Sequence, residues 1–153
     1  MDIFLGNLKE MVGADILISD ADVLINPVNC VGVMGKGLAL AFRKKFPENY
    51  MAYKEYCFNK KLKVGKIFTF QEKGKWIINL ATKNHWKDSS KLEWIEEGMG
   101  NLKAWLGHGE CHSVAIPALG CGLGGLDWNM AREVIYRTVN DLPDISFEVY
   151  PPQ

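Results

Sequence analysis

The feature that most constrains the fold is a glycine-rich segment set between an apolar run and an amphipathic one. The apolar residues 23–25 lead into a turn with Gly32, Gly35 and Gly37, which residues 38–46 follow at helical spacing. This order predicts a buried strand, a glycine loop and a helix. Glycine allows the positive φ that a backbone wrapped around a ligand requires. Because a helix start presents free N–H groups and a positive dipole, we expect a phosphate to bind there.

A second segment shows the same order of residue types. The apolar residues 114–116 precede the glycine-rich residues 117–126, and a helical pattern runs from Asp127 or Trp128 to residue 139. Neither loop has the GxGxxG or GxxxxGK[ST] spacing of the common nucleotide-binding loops. Each loop taken singly is open to the alternative that it is only a tight connection. Two such loops side by side at one sheet edge would instead hold both sides of a diphosphate.

The totals describe a single globular domain over residues 1–153, with 48% hydrophobic and 24% charged residues and a formal net charge of zero. A neutral chain has no overall field that draws it to nucleic acid. The four cysteines and three histidines lack the spacing of a zinc site, so we expect no metal and no cofactor. No apolar run approaches the roughly 18 residues of a membrane helix. We therefore expect a monomeric cytoplasmic protein without membrane contact.

Strand-like and helix-like patterns alternate along the chain, which predicts an α/β fold. Apolar or alternating runs predict strands at residues 3–5, 15–18, 23–25, 66–70, 76–80, 114–116 and 147–150. Helical spacing predicts helices at residues 38–46, around 50–58, from the candidate cap Ser90 to 105, and from 127 or 128 to 139.

Taken together, these segments resemble the macrodomain family, the ADP-ribose-binding α/β/α fold. The matching pieces are NPVNCVGVMGKGLA at residues 26–39, Thr82 and Lys83 at a strand end, and PALGCGLGGLDW at residues 117–128. They lie in order and span nearly the whole chain. The resemblance implies a three-layer α/β/α sandwich with a central mixed sheet. Within the family, the chain looks like the branch of the terminal ADP-ribose glycohydrolase and of the antitoxin macrodomains that remove ADP-ribose from DNA.

The resemblance also implies a set of ligand-binding residues. Asn29 would hydrogen-bond the distal ribose, and Gly35, Lys36 and Gly37 would border that sugar. The diphosphate would lie against the second loop, at Leu119, Gly120, Cys121, Gly122, Leu123, Gly124 and Gly125. The adenine end is implied at three further positions: Asn7 with Leu8, where the family usually has an aspartate that binds the adenine amino group, and Tyr150, which would stack on adenine.

Lys83 is the candidate nucleophile, since the resembling branch uses a lysine at this strand end to attack the anomeric carbon of the distal ribose. An amine attacks only when it is unprotonated. The alternative for Lys83 is a solvated charge that pairs with Asp88 or Glu93. The glycohydrolase has an aspartate directly after GCGL, whereas this chain has Gly124 there. Asp127 is the nearest carboxylate, and it is either a second catalytic residue or the N-cap of the next helix.

We therefore expect an ADP-ribosyl glycohydrolase that removes ADP-ribose from a nucleobase in DNA. His85 and Trp86 could line the leaving-group side, and an ordinary half-buried pair is the alternative. Contact with DNA is expected from the basic residues 43–45 and 60–66, for which a solvated helix face is the alternative. Two other functions remain open: a phosphatase acting on ADP-ribose 1''-phosphate, and a reader that binds ADP-ribose without catalysis.

Overall fold

A six-stranded sheet forms the centre of the computed structural model, which describes residues 6–153. Its strands are β1 Leu8–Glu10, β2 Val23–Asn29, β3 Ile67–Glu72, β4 Lys75–Lys83, β5 Ser113–Pro117 and β6 Ser146–Tyr150. The spatial order is β1-β6-β5-β2-β4-β3. All neighbouring strands are parallel except β3, which pairs antiparallel with β4. The sheet is therefore mixed, as expected, and the carboxyl ends of β1, β6, β5, β2 and β4 share one edge.

Helices cover both faces of the sheet. They are α1 Gly37–Lys45, α2 Pro47–Phe58, α3 Leu92–Leu106 and α4 Trp128–Asn140. Val23 and Ile25 of β2 pack with α3 and α4 in a cluster that includes Ile135. Leu24, which points to the other face, packs with Phe42 of α1. A strand buried on both faces reads as a continuous apolar run, and β2 does so because it lies between two helical layers. The three-layer α/β/α sandwich is confirmed.

The antiparallel pair follows from a two-residue hairpin turn. Lys73 and Gly74 join β3 to β4 with φ values of 53° and 75°. Positive φ at both turn residues gives the tight turn whose twist matches that of the strands. The strands predicted at residues 66–70 and 76–80 are confirmed as this pair, and β3 lies at the edge of the sheet.

Residues 15–18 correct one expectation, because they form a turn and the short 3-10 helix Ile16–Ile18 rather than a strand. The Asp15 carboxylate accepts a hydrogen bond from the Leu17 N–H at 2.9 Å and so caps this turn. A side chain that bonds the local backbone competes with strand pairing, and three apolar residues carry too little pattern to show which prevails. The strand predicted at residues 3–5 lies outside the described residues.

Ser90 is not the cap of α3 that the sequence predicts. It is buried, and Lys91 holds the N-cap position with extended backbone.

Within residues 6–153, no helix is long and apolar enough to cross a bilayer.

A glycine marks the point where α3 packs closely on β4. A Cβ on Gly98 would lie 2.6 Å from Leu80 Cδ2, whereas Gly100 is exposed and has nothing within 4 Å. We predict that Gly98→Ala is less stable than Gly100→Ala by about 2 kcal/mol, because both gain helix propensity and only the first overpacks the core. Urea unfolding of the two variants measures the difference. Equal free energies of unfolding would contradict this packing.

Candidate active site

A cavity of about 740 Å³ opens at the carboxyl edge of the sheet. Four neighbouring strands end in its wall: β6 at Tyr150, β5 at Pro117, β2 at Asn29 and β4 at Lys83. Ligands of open α/β sheets bind at this edge, and the volume is within the usual range for a small-molecule site. The cavity is therefore the candidate active site.

Both glycine loops reach the cavity and lie next to each other. A Cβ on Gly37 of the first loop would lie 3.8 Å from Leu123 Cδ1 of the second. The contact follows from topology, since β2 and β5 are parallel neighbours and each loop leaves its strand at the same edge. The loop residues in the cavity wall are Val33, Gly35, Lys36, Gly37, Gly120, Cys121, Gly122, Leu123 and Gly124. The predicted juxtaposition of the two loops is confirmed.

Asn29 holds the first loop in shape. Its side-chain oxygen accepts hydrogen bonds from the Val31 and Val33 N–H groups at 3.0 and 3.3 Å, and its amide nitrogen donates to the Val33 carbonyl at 2.7 Å. The Tyr53 hydroxyl lies 2.8 Å from the Asn29 carbonyl and 2.9 Å from its side-chain oxygen. Burial raises the pKa of Tyr53 far above its usual value, so the hydroxyl remains a donor. One N–H of the Asn29 amide remains for a ligand.

The first loop ends at the start of α1, which has no side-chain cap. Lys36 occupies the N-cap position with extended backbone and makes no capping bond from its side chain. Gly37 follows with φ of 56°, a conformation that favours glycine, and the first helical residues Gly37, Leu38 and Ala39 lie in the cavity wall. The first N–H groups of a helix lack intrahelical acceptors. These groups and the helix dipole favour an anion in the cavity.

The second loop is packed tightly against Ser90. The Ser90 N–H donates to the Gly124 carbonyl at 2.9 Å. A Cβ on Gly124 would lie 2.5 Å from Ser90 Oγ, so this hydroxyl fills the space in which a side chain at position 124 would begin. Among the described residues, Ser90 Oγ has no hydrogen-bond partner although it is buried. The loop is thereby fixed to the segment that follows β4.

Lys83 lies beside the first loop because of a bulge in the β2–β4 pairing. Val28 pairs with Ala81, but the next residue, Asn29, pairs with Lys83. Lys83 is half-buried at the end of β4, and its Nζ donates to the Trp86 carbonyl at 3.3 Å. Lys83 is one of the residues of the cavity wall, and the sequence-based alternative of a pair with Asp88 or Glu93 is not observed among the described residues.

Two cysteines near the loops remain thiols. Burial is the main cause that raises the pKa of Cys121, whose Sγ lies 3.6 Å from the Leu119 carbonyl. Burial, reinforced by the neighbouring Cys57, raises the pKa of Cys30 to about 11. A thiol is a nucleophile only as its thiolate. Both cysteines are therefore weak nucleophiles at neutral pH.

The far end of the cavity is formed by residues at the carboxyl ends of β6 and β1. Tyr150 lies in the wall and donates its hydroxyl to Glu148 Oε1 at 2.8 Å, and burial, with this hydrogen bond second, raises its pKa to about 12. Asp15, which the sequence interpretation took as part of a strand, also lines the cavity. The sequence signal for Asp15 is the turn Gly13-Ala14-Asp15 between two strands. The chain leaves β1 at the carboxyl edge of the sheet, so a turn that follows β1 lies at the edge where the cavity opens.

Asn7 and Leu8 do not lie at the cavity, which corrects the expectation that they meet adenine. Asn7 precedes β1 and therefore sits at the opposite edge of the sheet. Its amide nitrogen lies 2.9 Å from the carbonyls of both Leu142 and Ile145, and it joins the end of α4 to the start of β6. The Asn7 amide is therefore used in hydrogen bonds that stabilise the fold.

Three residues of the second loop region also lie outside the cavity wall. Leu119 is fully buried in the core cluster under α3 and α4, and Gly125 follows the 3-10 helix Gly122–Gly124. Asp127 is the N-cap of α4: its carboxylate accepts a hydrogen bond from the Asn129 N–H at 3.1 Å. Of the two alternatives for Asp127, the geometry matches the helix cap.

The basic runs 43–45 and 60–66 do not line the cavity. The Arg43 guanidinium lies 4.4 Å from the centroid of the Tyr50 ring, and Lys66 Nζ is 2.8 Å from Glu97 Oε1. These contacts are those of solvated helix and loop faces. His85 is also absent from the cavity wall, whereas Trp86 is part of it.

Comparison with known proteins agrees with this geometry. The model of the Macro domain family matches residues 25–135. The chain belongs to the Macro domain family. It is 43% identical over 142 residues to the DNA ADP-ribosyl glycohydrolase of Mycobacterium tuberculosis, across 90% of this chain and 40% of that protein. The macrodomain thus spans about 40% of the length of this relative.

Solved structures give the same assignment. The macrodomain of Mycobacterium tuberculosis DarG superimposes with a TM-score of 0.88 at 40% identity, covering 95% of this chain and 100% of that chain. Thermosipho africanus DarTG in complex with ADP-ribose gives a TM-score of 0.89 at 33% identity, covering 96% of this chain and 42% of that chain. The macrodomain fold is therefore shared over nearly the whole chain.

The contact between Gly124 and Ser90 predicts a suppressor pair. We expect Gly124→Ala to lower the free energy of unfolding by about 1–3 kcal/mol, because the new Cβ overlaps Ser90 Oγ. Ser90→Ala should be nearly neutral, since the hydroxyl it removes has no partner, and it should restore most of the loss when combined with Gly124→Ala. Thermal and urea unfolding measure all three variants. Gly122→Ala is the control, because its Cβ would meet nothing within 4 Å; additive losses in the double variant would contradict the contact.

Proposed function

We propose that this macrodomain is an ADP-ribosyl glycohydrolase that removes ADP-ribose from a nucleobase in DNA, with Lys83 as the nucleophile. The observation that carries the proposal is that Lys83 lines the same cavity as both glycine loops. Support also comes from the 43% identical relative, which is named as a DNA ADP-ribosyl glycohydrolase.

The strand order gives the direction in which ADP-ribose would lie. Across the cavity the strands run β6, β5, β2 and β4. In the proposed complex, adenine lies at the β6 end, with the Tyr150 ring against it and the Asp15 carboxylate accepting from its amino group. The diphosphate lies between the two loops, at the N–H groups that begin α1. The distal ribose then reaches the β4 end, between the free Asn29 N–H and Lys83.

The proposed chemistry at that end is nucleophilic. The neutral Lys83 amine attacks the anomeric carbon of the distal ribose, a carbon–nitrogen bond to the lysine forms, and the bond from this carbon to the base breaks. The base leaves with the bonding electron pair and takes up the proton that the attacking nitrogen loses. The sugar ring then opens to an imine, with the ring oxygen becoming a hydroxyl. Water hydrolyses the imine, which frees Lys83 and releases ADP-ribose.

Place of action and assembly are part of the same proposal. All four cysteines are free thiols, a state that a reducing cytoplasm maintains. We place the protein there as a monomer that counteracts a DNA ADP-ribosylating activity, as an antitoxin would.

Replacing the nucleophile tests the mechanism. We expect Lys83→Ala to lower the rate of ADP-ribose release from an ADP-ribosylated DNA oligonucleotide by at least about a thousandfold, because no other group forms the covalent bond. Calorimetry should show that ADP-ribose binding is kept. Reduction with borohydride during turnover should trap an ADP-ribosyl adduct on Lys83, detected by peptide mass spectrometry. Lys44→Ala, an exposed lysine of α1 outside the cavity wall, is the control.

Two outcomes would replace this proposal by another. Phosphate release from ADP-ribose 1''-phosphate that does not depend on Lys83, without release from the oligonucleotide, would make the protein a phosphatase. ADP-ribose binding without turnover of either compound would make it a reader.

Substitution of Asp127 tests whether this residue is only a helix cap or also a catalytic residue. Asparagine caps helices about as well as aspartate, whereas alanine costs about 1 kcal/mol of stability. We expect Asp127→Asn to keep both the melting temperature and the hydrolysis rate, and Asp127→Ala to lower the melting temperature while the rate per folded molecule stays unchanged. Differential scanning calorimetry and the oligonucleotide assay measure the two properties. A stable Asp127→Asn variant without activity would make the carboxylate catalytic after all.

A further inference from the structure

Three exposed apolar side chains surround the mouth of the cavity. They are Val33, Trp86 and Leu123, which are 38%, 45% and 68% exposed and all line the cavity. They come from the loops after β2, β4 and β5. Single exposed apolar residues are ordinary on a protein surface, but a group of them around one opening indicates a binding surface. We call these three residues the apolar collar.

Trp86 is the member of the collar nearest to the proposed chemistry. Its carbonyl accepts the hydrogen bond of Lys83 Nζ at 3.3 Å. A group attached to the carbon that Lys83 attacks must therefore leave close to residue 86. The departing group meets an exposed indole at the edge of the cavity.

The loop around Trp86 is fixed by its own hydrogen bonds. The Asp88 carboxylate accepts from the His85 N–H at 3.0 Å, and His85 Nδ1 accepts from the Lys87 N–H at 3.1 Å. The His85 and Trp86 ring centroids are 5.1 Å apart. A loop that is ordered before binding loses little conformational entropy when a ligand binds. Trp86 is thus carried by an ordered segment of backbone.

The charge around the collar matches a phosphodiester strand. Lys36 lines the cavity, and Lys87 Nζ lies 5.0 Å from the centroid of the Trp86 ring. The carboxylate of this loop, Asp88, is engaged by the His85 N–H, and Asp15 belongs to the opposite end of the cavity. Aromatic platforms flanked by cations are the usual way in which proteins bind single-stranded nucleic acid.

We infer that the apolar collar holds the nucleotide that carries ADP-ribose, with its base stacked on Trp86 and its phosphates near Lys36 and Lys87. This inference rests on the proposed function, since it names the part of the substrate that lies outside the ADP-ribose pocket. The base must be unstacked from its own strand to reach the indole.

Substitution of Trp86 tests whether the indole binds the nucleotide or only maintains the shape of the ADP-ribose pocket. We expect Trp86→Ala to raise the KM for a single-stranded DNA oligonucleotide carrying one ADP-ribosylated base by about tenfold, the usual loss for one base stack. Trp86→Phe should recover most of the affinity. The affinity for free ADP-ribose, measured by calorimetry, should be unchanged in both variants. Phe58→Ala is the control, because Phe58 is 84% exposed and lies outside the cavity wall.

Binding without turnover keeps the test independent of the reaction. The same oligonucleotide is titrated into Lys83→Ala and into the Lys83→Ala, Trp86→Ala double variant, with an RNA oligonucleotide and an ADP-ribosylated peptide in parallel. A roughly tenfold difference for DNA and none for the peptide supports the collar, and equal loss for RNA extends the base platform to both nucleic acids. Equal affinity of the two variants for DNA, or an equal loss for the peptide, overturns it. If the protein does not hydrolyse the oligonucleotide but the two variants still differ in their affinity for it, only the proposed reaction is rejected.

Discussion

Parallel pairing of β2 with β4 on one side and β5 on the other is the constraint on which the site depends. The main-chain hydrogen bonds of these pairs leave three strand ends at one edge of the sheet. Each end carries a different part of the site: the first glycine loop, the lysine strand end and the second glycine loop. Because the strands are buried on both faces, a shift in register would expose apolar residues to solvent or bring polar ones into the core. The relative positions of loops and lysine are thus fixed by the core and not by the loops themselves.

Polar groups then adjust the site within that frame. Asn29 ends β2, shapes the first loop through Val31 and Val33, and pairs across the bulge with Lys83. The buried Tyr53 hydroxyl bonds Asn29 from α2, which ties the loop to the helical layer behind it. A buried side chain with most of its hydrogen bonds satisfied is rigid. The ligand therefore meets a loop that is already in place.

The parts of the site that the sequence could predict are those determined by neighbouring residues in the chain. Glycines next to an apolar run predict a loop at a strand end, and the lysine that follows Thr82 is placed by the strand itself. The proposed adenine end of the cavity is not set by neighbouring residues in the sequence. Its position depends on β1 pairing with β6, a contact between residues such as Leu8 and Phe147, and no pattern within either segment indicates that contact. Asn7 was therefore placed at the wrong edge, and Asp15, whose side chain caps its own turn, was taken for part of a strand. The burial of Ser90 against Gly124 is likewise a contact between distant segments. The local sequence pattern at Ser90 therefore predicted a helix cap that the structure does not have.

Gly124 also limits the chemistry that the site can perform. The resembling glycohydrolase carries an aspartate at this position, but here the Ser90 hydroxyl occupies the space where such a side chain would start. A carboxylate at that place is thus sterically excluded unless Ser90 moves. An amine nucleophile has less need of a carboxylate as general base than water would, because a neutral amine is the stronger nucleophile. In the proposed mechanism, the nitrogen of Lys83 becomes acidic when it bonds to the anomeric carbon and supplies the proton that the departing base requires. The hydrogen bond from Nζ to the Trp86 carbonyl holds the amine against the segment that follows β4. In that mechanism nucleophile and acid are one group, and a loop built from glycine is sufficient around it.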